Sequence, residues 1–110
     1  MADSSGINPI GPQDQRAYEI EYKHGADLFQ RALDQYSKSD NPYQKAEFKD
    51  VMDQAMNVLN ETAKELMRSE LQKQNEKISE DYNTFQKFPG NPDAQEKLAN
   101  DLDRAKKSIG

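Results

Sequence analysis

PYQKAEFKDVMDQAMNVLNETAKELMRSELQKQNEKISEDYNTFQKFP, residues 42–89, runs from one proline to another with no glycine and no internal proline. It is rich in Ala, Leu, Met, Glu, Lys and Gln, the residues that lose least on entering a helix. As one unbroken helix it would be on the order of 70 Å long, at about 1.5 Å per residue. No helix of that length buries its own apolar stripe, so the chain before and after it is expected to fold back along it.

The stripe itself is uneven. Phe48, Met52, Ala55, Leu59, Thr62 and Leu66 alternate steps of four and three, and Val51, Met56, Val58 and Met67 widen it. From Arg68 to Asp81 only Leu71 and Ile78 are apolar, one heptad apart, with Asn75 between them. A polar residue in a helical seam costs stability and fixes register. A solvated bridge between two better-packed ends would look the same in sequence. Tyr82 and Phe85 rejoin the seam, and Phe88 lies beside the next turn. A break near Arg68-Ser69 would replace the long rod with a compact bundle.

Both ends of this stretch carry turn chemistry. At Ser37-Lys38-Ser39-Asp40-Asn41-Pro42, Asn41 is placed to cap the helix and Pro42 to begin it, where its missing N–H costs nothing. At Pro89-Gly90-Asn91-Pro92, Gly90 suits a left-handed helix end, Asn91 caps the next helix and Pro92 starts it. Asp93 and Glu96 in that helix's first turn, and Arg104, Lys106 and Lys107 in its last, match the macrodipole. Leu98, Leu102, Ala105 and Ile109 form its apolar line.

Upstream, Ala26, Phe29, Leu33 and Tyr36 have helical spacing, which extends back through Gly25 to Tyr22 and Tyr18. Tyr18, Ile20 and Tyr22 also alternate with charged residues, as a strand would. Helix is the preferred reading, weakest near His24-Gly25; the alternative is an extended Tyr18–Tyr22 that pairs with a partner's sheet edge. Met1–Gln13, with Gly6, Pro9, Gly11 and Pro12, reads as a disordered tail or an unfolded export or docking signal.

The two turns resemble copies. An offset of 50 lays Phe48, Met52, Ala55 and Leu59 on Leu98, Leu102, Ala105 and Ile109; an offset of 49 lays Phe29, Leu33 and Tyr36 on Ile78, Tyr82 and Phe85. Each copy would be a helix–Asn-Pro–helix hairpin, although any two amphipathic helices can be slid into apolar register.

Composition limits function. At 110 residues the chain is one domain, and its apolar share of 34% against 32% charged predicts thin helix–helix seams instead of a thick core. Mean hydropathy is −1.15. A net charge of −5 disfavours nucleic acid and anionic membrane surfaces. With no cysteine there are no disulfides, thiolate sites or Cys nucleophiles. No apolar run is long enough to insert in a membrane and no signal peptide is evident, so a cytoplasmic chain, or one exported without a cleaved signal, is expected. His24 is the single histidine and has no partner by spacing. Glu47, Asp50, Asp53, Asp101 and Asp103 read as solvated helix faces. No enzyme, cofactor or metal site is expected.

The turn Lys87-Phe88-Pro89-Gly90-Asn91-Pro92, followed by Leu98 and Leu102, resembles the needle-forming proteins of bacterial type III secretion systems. Those are small helical hairpins whose helices meet at a Pro-x-Asn-Pro turn. Ala32-Leu33-Asp34, Lys38, Asn41-Pro42 and Ala46-Glu47-Phe48 are similar in the same way. The resemblance implies a needle-like subunit or another small helical secretion component, with assembly residues among Phe48, Met52, Leu98 and Leu102. Two turns in place of one, and a short last helix, depart from that pattern.

The sequence therefore predicts an all-α protein: an elongated hairpin or three-helix, coiled-coil-like bundle over 14–110, with helices near 14–38, 42–88 and 92–108 and a disordered tail over 1–13. Its expected work is protein–protein interaction, by self-assembly or by receiving a helix in a groove. The expected interface is Phe48, Met52, Met56, Leu59, Leu66, Leu98 and Leu102, with Met67 beside it; the competing reading packs these methionines against Phe29, Leu33 and Tyr36. A small acidic chaperone or adaptor that binds a partner helix is the alternative.

Overall fold

The computed structural model describes residues 12–109, with side-chain surroundings from Gln15 onward. Four helices make up almost all of it: α1 (Pro12–Lys38), α2 (Pro42–Leu66), α3 (Ser69–Lys87) and α4 (Pro92–Ile109). The first helix begins at Pro12, two residues earlier than expected, and the remainder of the expected tail, residues 1–11, lies outside the described residues. Proline suits that first position because its fixed φ is already helical.

Residues 42–88 are not one helix, which corrects the long-rod expectation. Met67 sits in the left-handed region at φ 53, ψ 33 and its N–H bonds to the Ala63 carbonyl at 3.3 Å; Arg68 is extended at φ −97, ψ 118. A left-handed non-glycine residue costs about 1–2 kcal/mol. The bend lets α3 fold back, and Leu71, Ile78, Tyr82 and Phe85 all become buried. Each such side chain gains about 1.5–3 kcal/mol on full burial, so the four together outweigh the strained residue.

Side-chain contacts fix the helix directions. Tyr22, Phe29 and Tyr36 of α1 meet Asn75, Tyr82 and Phe85 of α3 in ascending order, so these two helices run the same way. Asn60 and Asp53 of α2 meet Asn75 and Tyr82 in descending order. In α4, Ala99 and Lys106 meet Gln30 and Asp27 of α1, again opposed. The result is an up-down-up-down four-helix bundle, 52 × 27 × 20 Å, in which α1 and α3 face each other across the core. The turns at 39–41 and 88–91 share one end, and Met67-Arg68 occupies the other.

Tyr18–Tyr22 is helical throughout. Tyr22 is fully buried while Ile20 is exposed, so the burial follows a helix face and not strand alternation. Gly25, the expected weak point, is where α1 closes on α2. A Cβ there would lie 3.0 Å from Val58 Cγ1 and 3.4 Å from Leu59 Cδ2, so the missing side chain is what permits the approach.

The chain forms two hairpins, α1–α2 and α3–α4, each closed by an Asn-Pro turn, and their aligned apolar positions agree only in part. At the offset of 50, Met52 and Ala55 are fully buried like their counterparts Leu102 and Ala105, whereas the outer pairs differ: Leu98 is fully buried where Phe48 is partly so, and Leu59 fully where Ile109 is partly so.

Asn75 is buried and fully engaged. The Tyr22 hydroxyl donates to its Oδ1 at 3.0 Å, and its amide donates to Asn60 Oδ1 at 2.6 Å. One polar residue thus ties α1, α2 and α3 at a single height, the register-fixing role rather than a solvated bridge. Burial pushes the Tyr22 hydroxyl well above the ordinary tyrosine range, so it stays a donor. Asn75→Ala strands that hydroxyl in the core and is expected to cost about 1–3 kcal/mol in urea unfolding. Unchanged stability would show that water replaces the amide without loss.

Candidate protein-interaction surface

Two asparagine caps build the turn end. Asn41 Oδ1 accepts from the N–H groups of Tyr43 at 2.8 Å and Gln44 at 3.4 Å, with Pro42 at the first helical position. Asn91 Oδ1 accepts from the Asp93 N–H at 2.9 Å, ahead of Pro92, and its own N–H bonds to the Phe88 carbonyl at 3.0 Å. Both caps therefore do what their sequence position implies. Gly90 does not: it is outside the left-handed region, and α3 ends instead at Phe88, with φ −130 and ψ 64. Pro89 and Gly90 are exposed.

Aromatic rings gather at the same end. Tyr36 and Phe85 pack edge to face beneath the turns, with ring centroids 5.6 Å apart, and Lys45 Nζ lies 4.6 Å from the Tyr36 ring. On the outside, Tyr43 is 82% exposed and Phe88 58% exposed. Aromatic side chains held at low entropy cost are the residues that most often anchor protein–protein contacts.

Most of the interface expected from sequence lies elsewhere. Met52, Leu59, Leu98 and Leu102 are fully buried, and Met56 and Leu66 nearly so; all six belong to the one core cluster. Only Phe48 offers surface. It lies between two shallow depressions, an apolar one of about 210 Å³ formed with Leu28, Arg31, Ala32, Gln35 and Val51, and a polar one of about 520 Å³ beside Lys38 and Gln44. Met67, at the opposite end, is exposed.

The sequence reading missed Tyr43. Its signal was available: it is an aromatic residue in a helix's first turn that falls off the 48–52–55–59 stripe. Asp101 is a second correction, because it is buried and not on a solvated face. Asp53 is half-buried and accepts from the Tyr82 hydroxyl; burial, and then this bond, push that hydroxyl above its usual range.

No protein-family model matches the chain, and searches of curated proteins and of solved structures return no match. The class rests on architecture alone: an up-down-up-down four-helix bundle with an aromatic turn end. Among the described residues, no helix is long and apolar enough to cross a membrane.

Proposed function

We propose that this protein is a helical scaffold that works by protein–protein contact and not by turnover, self-assembling through the end where its two Asn-Pro turns meet. The observation that carries this reading is the pair of exposed aromatics, Tyr43 and Phe88, at the end that holds both Asn-capped turns. Leaving two such rings in water has a cost that covering them would remove. The resemblance of both turns to type III secretion needle subunits supports a bacterial secretion apparatus as the setting. The apolar depression at Phe48 favours a second reading, a small acidic adaptor that receives a partner helix along α1 and α2.

The test is size exclusion with light scattering over a wide concentration range, for the wild type and a Tyr43→Glu/Phe88→Glu variant. Exposed positions tolerate such changes within about 0.5 kcal/mol, and circular dichroism confirms the fold. Wild-type mass should grow with concentration while the variant stays monomeric. A wild type that is monomeric throughout removes self-assembly. Growth that is equal in the variant moves the interface away from the turn end.

A further inference from the structure

Asp81 on α3 and Asp101 on α4 are buried acids that meet across the α3–α4 seam, 5% and 6% exposed. In each, Oδ2 is shut off from solvent and accepts no hydrogen bond. Their other oxygens have only distant cations: Lys97 Nζ lies 3.6 Å from Asp81 Oδ1, and Arg104 Nη1 lies 3.8 Å from Asp101 Oδ1. Both cations are mostly exposed, so water screens them. The charges acting on Asp81 come from α4, namely Asp101 and Lys97. On α1, Asp27 is held by Arg31 and Lys106, with Lys23 one turn away; on α2, Lys49 and Asp53 engage each other, and Asp53 also binds the Tyr82 hydroxyl.

Two carboxylates enclosed together cannot both stay ionised without strong repulsion. A single proton changes the chemistry, since a protonated carboxyl is a donor and its neighbour an acceptor. The shared proton supplies the donor that this enclosed pair of acids otherwise lacks.

We propose that Asp81 and Asp101 form an acid-closed latch between α3 and α4: sharing one proton they hold the hairpin shut, and losing it they repel and loosen α4 from the bundle. Burial, followed by the hydrogen bond its protonated form makes with Asp101 and by repulsion from the Asp101 charge, raises the Asp81 carboxyl to about 6. A carboxyl raised on folding binds its proton more tightly in the folded chain than in the unfolded one. Its stabilising effect is complete below the unfolded value of 3.8 and is lost as pH rises through about 6. The latch therefore opens in the range where ordinary carboxylates have long since ionised. Asp27 acts in the opposite direction: its hydrogen bond to Arg31 lowers it, so that contribution is lost only at acid pH. The movable element is α4, which lies against α1 and α3 and anchors itself chiefly through Leu98, Leu102 and Ala105. The inference rests on the hairpin and requires no partner.

The test is amide hydrogen exchange at pH 5 and pH 7.5, corrected for intrinsic rates, with α4 amides from Leu98 to Ala105 compared with amides around Phe29 and Leu59. Protection in α4 should fall by on the order of tenfold or more between the two pH values, with a smaller fall in α1 and α2. In Asp81→Asn, whose amide can donate to Asp101, α4 should remain protected at both. An unchanged α4 in the wild type, an equal fall in all helices, or a fall that persists in Asp81→Asn would each overturn the latch. Should that variant fail to fold, carboxyl carbon-13 titration of the wild type decides: a midpoint near 6 at Asp81 supports it, and an ordinary carboxylate midpoint refutes it.

Discussion

Phe29→Ala is expected to lower the stability of the bundle by about 3–5 kcal/mol, the usual cost of removing a buried ring. Phe29 is fully buried and meets Tyr82 edge to face, with centroids 4.9 Å apart and planes at 80°. The substitution therefore loses both burial and a ring pair that contributes about 0.5–1.5 kcal/mol beyond area. Against a total of about 5–15 kcal/mol for a domain, this change alone leaves little. The contact also joins α1 to α3, the diagonal that distinguishes a four-helix bundle from two hairpins lying side by side. Urea unfolding followed by circular dichroism measures the loss. A change under about 1 kcal/mol would mean that the site collapses on itself or that the diagonal is not packed.

How much of this architecture the sequence disclosed depends on what each signal can encode. The apolar steps of three and four named the core faces correctly, from Phe29 and Leu33 through Met52 and Leu59 to Leu98 and Leu102. The two Asn-Pro turns were legible because caps act locally, through one side chain and the next two N–H groups. The break at Met67 was only one of two readings, and for a physical reason. It has no glycine, no proline and no side-chain cap: Arg68 begins α3 without a capping bond. What bends the chain is the burial gained by Leu71, Ile78, Tyr82 and Phe85 once α3 can face α1, and that gain exists only in three dimensions.

The candidate interface was misplaced for the same reason. Periodicity shows which residues share a face but not how many helices will come to share it. With a fourth helix available, the central positions from Met52 to Leu66 are covered within the chain, and surface remains only at the ends and flanks, at Phe48, Val51, Val58 and Met67. The acids followed a similar course. Asp81 lies three residues after Ile78 and Asp101 three after Leu98, both on the seam side of their helices. An abundance of exposed carboxylates in the composition concealed the two that are enclosed.

The resemblance between the hairpins makes a sharper prediction than either hairpin does alone. Leu59 and Ile109 occupy matching places 50 residues apart, yet Leu59 is fully buried while Ile109, beside the end of α4, is only partly so. If packing depth and not sequence position sets the cost, Leu59→Ala should lose about 2–5 kcal/mol and Ile109→Ala about 1 kcal/mol or less. Met52→Ala and Leu102→Ala, matching places that are both fully enclosed, should each fall in the larger range of about 2–5 kcal/mol. Denaturant midpoints for the four variants give the comparison directly. Equal losses at Leu59 and Ile109 would mean that the end of α4 is held as firmly as the middle of α2. An inexpensive Leu102→Ala beside a costly Met52→Ala would show α4 to be the more loosely held partner, because a side chain on an element that already opens has less stability to lose when it is cut back.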